Sequence, residues 1–157
     1  MAKLDLSLTA PELESFLSGQ RIIRLATATP TGQPHVVPLW FVWVDRTVFM
    51  NSTLGNVTIR NLQRNPGATG SIDDGEAYEE LRGVLVQGRV EWAAGDPRLE
   101  AVKEVWSKKY MEGEPPPYDR WKNRVWFRLA PYRIVSWDFR KIPSARAAAK
   151  RAESAGA

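Results

Sequence analysis

The chain has 157 residues, with 22 Lys plus Arg against 18 Asp plus Glu, one histidine, seven tryptophans and no cysteine. That length predicts one domain with a core that needs no covalent staples, and the missing cysteines exclude a disulfide framework, thiolate catalysis and cysteine-held zinc or iron–sulfur sites. A charged fraction of 25% and an apolar fraction of 43% exclude bulk disorder, and no run of about 18 apolar residues is present to cross a membrane.

The first twenty residues carry Asp5, Glu12 and Glu14 and no apolar signal core, so a cytoplasmic protein is expected. Thr9-Ala10-Pro11-Glu12 reads as a helix start closed by a capping box, with Leu13, Phe16 and Leu17 on one face and Gly19 as the stop. Arg21 to Thr29 is apolar and β-branched and predicts a strand, ended by the turn Pro30-Thr31-Gly32. Gln33 to Val44 predicts a long strand in which Trp40 and Trp43 are expected on opposite faces from Phe41. Asp45-Arg46 is a tight turn, and Thr47 to Ser52 returns as a third strand.

Asn56 is suited to cap a short helix, Val57 to Arg64, stopped by Pro66-Gly67. Ala68 to Asp73 alternates as a strand before the polar loop Asp74-Gly75-Glu76. Arg82 to Trp92 is a strong strand with two internal glycines, which mark a bulge or a close approach. Asp96 is expected to cap a helix reaching Lys109, with Leu99, Val102, Val105 and Trp106 on its apolar face. Pro115-Pro116-Pro117 forces an extended linker. Arg124 to Phe139 is the last strand, and Ala130-Pro131 within it implies an edge or a bulge.

Six antiparallel strands, two longer helices and one short helix give a mainly β fold, a small closed barrel with peripheral helices. Closure removes the sticky edges that such strands would expose. The domain is expected over 1–142, with 143–157 a basic, alanine-rich tail, frayed or disordered. Arg140, Lys141, Arg146, Lys150 and Arg151 lie in the last eighteen residues against Glu153 alone, which accounts for the whole net charge of +4. A basic tail on a balanced body argues against a nucleic-acid reader.

No Gly-x-Ser-x-Gly elbow surrounds a serine, and metal-ligand spacing is absent. His35 lies in a strand, where hydrogen bonding to a neighbour or a ligand fits better than general-base work. Asp73-Asp74 and Glu79-Glu80 are adjacent pairs whose carboxylates point apart. The segment from Asn51, Ser52 and Thr53 through Gly55 and Asn56 into a helix with Thr58 and Arg60 can receive a phosphate on hydroxyls, helix N–H groups and a guanidinium. Taken alone it reads more readily as an ordinary capped helix with an exposed arginine face. The aromatic crowding on the second strand is either core packing or a floor for a planar ring system.

Taken together, Arg24-Leu25-Ala26-Thr27-Ala28, then Gly32-Gln33-Pro34-His35-Val36-Val37-Pro38-Leu39-Trp40-Phe41, then Arg60-Asn61-Leu62-Gln63-Arg64-Asn65-Pro66 and Val84-Leu85-Val86-Gln87-Gly88-Arg89-Val90-Glu91 resemble the split-barrel flavin- and deazaflavin-binding superfamily that includes pyridoxamine 5′-phosphate oxidase. Order and spacing agree over about residues 12 to 95. Within it the chain looks closest to the F420-dependent reductase branch, with no arginine- and histidine-bearing C-terminal substrate signature.

The resemblance implies a six-stranded split barrel, a homodimer with cofactor sites at the subunit interface, and F420 as cofactor, with FMN as the alternative. It also implies hydride transfer from the reduced deazaflavin to an activated double bond of a small organic acceptor. An ordered water, Tyr78 or Tyr118 would supply the proton. An FMN oxidase-like enzyme and a non-catalytic flavin or haem carrier are the other members of that class. The implied cofactor contacts are His35, Val37, Pro38 and Trp40 under the ring, Asn51, Ser52, Thr53, Asn56, Thr58, Arg60 and Asn61 toward the phosphate, and Gln87. Thr58 departs from the pattern, since F420-binding relatives commonly carry lysine there. No metal and no catalytic side chain are implied, because such a cofactor carries the redox chemistry.

Overall fold

The capping box is in place: the Thr9 hydroxyl accepts the Glu12 N–H at 3.5 Å and the Glu12 carboxylate accepts the Thr9 N–H at 2.7 Å. It starts helix α1, Ala10–Gly19, in a computed structural model that describes residues 4–117 and 119–155. Lys141 donates to the same carboxylate at 2.6 Å. That ammonium, followed by the Thr9 N–H, holds the Glu12 carboxyl down to about 2.

The meander follows as β1 (Ile22–Ala28), β2 (Pro34–Val44) and β3 (Thr47–Thr53). Asp45 and Arg46 join the last two with φ of 46° and 57°, the doubly left-handed turn that matches strand twist. Then come α2 (Val57–Arg64), β4 (Gly67–Asp74), β5 (Arg82–Trp92), α3 (Leu99–Tyr110), β6 (Arg124–Asp138) and α4 (Ile142–Ala155). The strands close in the order β1-β2-β3-β6-β5-β4, and every neighbouring pair is antiparallel. The predicted mainly β barrel with peripheral helices is the observed fold.

Alternation decides what fills it. Ile23, Leu25, Phe41, Met50, Val84, Phe127 and Leu129 are buried inside, with Phe16 and Leu17 of α1 joining at one end and Ile59 and Leu62 of α2 at the other. A second, smaller core lies outside the wall, where Val42 and Phe49 meet Val102 and Trp106 of α3. Both internal glycines of β5 are close-approach positions. A Cβ on Gly88 would run into the Ala130 carbonyl and one on Gly83 into the Trp137 ring. The register slips between Gln87 and Gly88, opposite Pro131, so the proline marks a bulge.

Three sequence expectations are corrected. Trp43 shares the interior with Phe41, because two residues apart on a strand is the same face; Trp40 alone faces out. Asp96 does not cap α3: its carboxylate is drawn to the N–H and guanidinium of Arg98, which itself stands at the cap position without a side-chain bond. Val105 is 37% exposed rather than on the buried stripe. Beyond residue 141 the described chain is helical to Ala155. The adjacent acids do point apart: Asp73 pairs with Arg24 at 2.5 Å and Asp74 with Arg82 at 2.7 Å.

Candidate functional site

β2 is the strand on which the site is built. From Pro34 to Trp40 its outer face is uncovered, with Val36 58% and Trp40 41% exposed, and Pro38 between them offers no N–H. Ile22 and Ala26 of β1 lie beside Trp40 and Val36 and widen this apolar strip, which the outward Arg24, opposite Pro38 and paired with Asp73, interrupts between them. Its two ends meet polar groups of quite different kinds.

At the α2 end, His35, Ser52, Asn56, Thr58 and Asn61 each have a side-chain partner within the protein. His35 Nε2 and Thr58 Oγ1 share a hydrogen bond at 3.3 Å, and Asn61 Nδ2 donates to Thr27 Oγ1 at 3.1 Å in a buried pair. Asn56 caps α2 by accepting the Ile59 N–H at 2.9 Å and donates through its own amide to Ser52 Oγ at 2.8 Å. Val37 faces inward beside His35. Arg60 points away, exposed, on the solvent side of α2.

At the other end, β2, β3, the start of β6 and α3 enclose a cleft of about 350 Å³. Five predicted residues line it: Pro38, Trp40, Asn51, Ser52 and Thr53. Four others complete it: Leu39, Trp106, Trp121 and Arg124. Trp40 is stacked flat on Tyr110, with centroids 4.4 Å apart and planes at 6°, and Trp106 tilts against both. Tyr110 is itself anchored, since its hydroxyl meets the Phe41 carbonyl at 2.6 Å and accepts the Phe41 N–H at 3.1 Å. Burial pushes that phenol up to about 12, so it stays protonated. Arg124 donates to Asn51 Oδ1 at 2.7 Å and lies over the Trp121 ring at 4.4 Å.

Three donors beneath α3 are buried without a hydrogen-bond partner: Asn51 Nδ2, Trp106 Nε1 and Lys109 Nζ. The Lys109 ammonium sits 4.7 Å from the Phe41 ring centre. Burial, and secondarily the charge of Arg21, pushes its pKa down to about 8. Buried donors are nearly always paired in native proteins, so such a cluster marks where a ligand is received or strain is kept.

Gln87 is not brought to this site. It faces outward on β5, three strands from β2 in either direction around the barrel. Tyr78 is 65% exposed and packs against Phe139, outside the cleft. Tyr118, the other expected proton source, lies outside the described residues. Trp121 and Arg124 had no signal in the sequence, because only the β3–β6 register sets Arg124 opposite Thr53. Among the described residues no three His, Asp or Glu side chains gather as a metal site, and no helix is long and apolar enough to cross a membrane.

Comparison with known proteins shows the family. The chain is similar to a conserved hypothetical protein from Mycobacterium tuberculosis, at 26% identity over 91% of this chain and 92% of that one, with a TM-score of 0.80. It is similar to an FAD-binding protein from Mesorhizobium loti, at 26% identity, 83% and 94% coverage and a TM-score of 0.64. An F420 reductase is 27% identical over 77% of this chain and 94% of that one, with a TM-score of 0.58. Among curated proteins no match is found. The pyridoxamine 5′-phosphate oxidase family model matches residues 9–138, from the cap of α1 to the end of β6. The chain therefore belongs to that family, within the split-barrel flavin-binding superfamily.

Proposed function

We propose that the protein is an F420-dependent oxidoreductase that reduces a small organic acceptor. The observation that carries this reading is the uncovered β2 strip, a flat apolar floor that leads at one end to hydroxyls and a helix start and at the other to the aromatic cleft. The donor set fits a phosphate-bearing ring of this kind. Ser52, Thr53 and the first turn of α2 would take the phosphate, Arg60 would turn toward it from solvent, and Pro38 and Trp40 would lie under the ring. His35, Thr58 and Asn61 act one step back, fixing α2 against β1 and β2 rather than touching the ligand.

When bound, the reduced deazaflavin supplies a hydride. The protein's own part is to bind, to orient and to keep water out, which fits a cleft walled by tryptophans and free of acid–base pairs. The strip of Ile22, Val36 and Trp40 also supports a homodimer, in which a second copy would cover the ring and bring its own Gln87 to the site.

Titrating the purified protein with F420 and with FMN, while following tryptophan fluorescence, tests this. Saturable quenching by F420 in the micromolar range supports the reading. Quenching by FMN alone assigns the site to an FMN enzyme of the same family, and quenching by neither defeats both.

A further inference from the structure

Strand alternation sends Asn51 and Ser52 to opposite faces of β3. Ser52 Oγ meets Asn56 on the α2 side, whereas Asn51 Oδ1 meets Arg124 on the α3 side. The cleft shares Pro38, Trp40, Ser52 and Thr53 with the cofactor reading, and that reading leaves Asn51, Trp106, Trp121 and Arg124 of its wall unused. The Arg124 bond also fixes how the Asn51 amide is turned: its oxygen is engaged, so its NH2 is the free group. Asn51 is 3% exposed and that NH2 has no acceptor. Trp106 is 1% exposed, and its indole N–H is equally unpaired. Among the described residues Arg124 has no carboxylate partner. The cleft thus presents two buried N–H donors with no acceptor, beside a guanidinium whose bond to Asn51 Oδ1 leaves its charge unpaired.

We propose that this cleft seats the second reactant, a planar organic molecule carrying an oxyanion such as a carboxylate. Arg124, Asn51 Nδ2 and Trp106 Nε1 bind the oxyanion, because all three residues line the one cleft and a charge-assisted bond is the strongest of the choices. Planarity follows from the walls, where Trp40 is held rigid by its stack on Tyr110 and Trp121 by Arg124. The cleft opens beside Pro38 and Trp40, so its occupant lies next to whatever rests on the β2 strip. Naming the occupant a second reactant depends on the oxidoreductase reading; a site for a planar oxyanion does not.

The seven tryptophans of the 15N-labelled chain give one indole N–H resonance each, and Trp106→Phe identifies the one that matters. The probes are benzoate, phenyl phosphate and benzamide, the neutral shape-match of benzoate. Benzoate or phenyl phosphate is expected to shift the Trp106 indole N–H and the Asn51 side-chain amide in a saturable way, in the millimolar range or tighter. Which of the two binds better tells carboxylate from phosphate. Benzamide is expected to bind about tenfold or more weakly, and Arg124→Gln to abolish that preference. If Arg124→Gln fails to fold, the benzoate-to-benzamide ratio of the unmodified protein decides alone. No saturable shift with either anion, or equal binding of benzoate and benzamide, overturns the proposal. Flavin or F420 binding without benzoate binding defeats this inference only, and the reverse result defeats only the oxidoreductase reading.

Discussion

The two polar clusters along β2 are made of similar residues and differ in whether those residues answer one another. Around α2, histidine, threonine, asparagine and serine pair off within the protein, and Ile59 and Leu62 seal the barrel beneath them. Under α3, asparagine, tryptophan and lysine hold buried donors that nothing in the chain accepts. A satisfied buried network fixes shape, whereas an unsatisfied one gives up stability at a place where a ligand can restore the missing bonds. The comparison therefore predicts that changes at the α2 end cost stability and changes under α3 cost binding.

Ile59→Ala should give the largest effect, a loss of about 2–4 kcal/mol in denaturant unfolding, because a side chain with no exposure leaves a cavity in the barrel end. A loss below about 1 kcal/mol would show that α2 is not the plug this comparison needs. Asn61→Ala should cost about 1–3 kcal/mol, since the buried Thr27 hydroxyl loses its donor. Ligand affinity, measured on the folded fraction, should change little in either variant.

Lys109→Met should act in the opposite direction and raise stability at neutral pH, by about 1 kcal/mol once the partial exposure of the side chain is allowed for. The sign follows from a folded pKa of about 8 against an ordinary value of 10.5. Between those two values the unfolded chain holds more protons than the folded one, so unfolding free energy rises with pH through that window. Lys109→Met should abolish the rise, as measured by urea midpoints across pH 7.5 to 10.5. The smallest stability loss belongs to Arg124→Ala, about 0.5–1 kcal/mol, because removing the exposed guanidinium lets water take its place at Asn51 Oδ1. A larger loss would place Arg124 among the structural residues and erase the contrast.

Much of this was legible beforehand. The capping box at Thr9 and Glu12, the Asn56 cap and the ends of α2 rest on interactions a few residues apart, and the bulge at Pro131 on the N–H that proline lacks. Trp43 was misplaced through the strand period, and Asp96 through a competition that sequence does not display, because Arg98 takes the carboxylate.

By itself, then, the sequence determined the elements, their antiparallel sense, the closed barrel and the family, because propensity, capping and strand alternation are local and their order carries the match. Only the tertiary structure decided which polar residues would be paired. It set Arg124 opposite Thr53 across seventy residues of chain, folded α3 over Asn51 and left Gln87 on the far wall. Those outcomes depend on inter-strand register and helix docking, which are summed over many weak contacts and leave no mark at any single position.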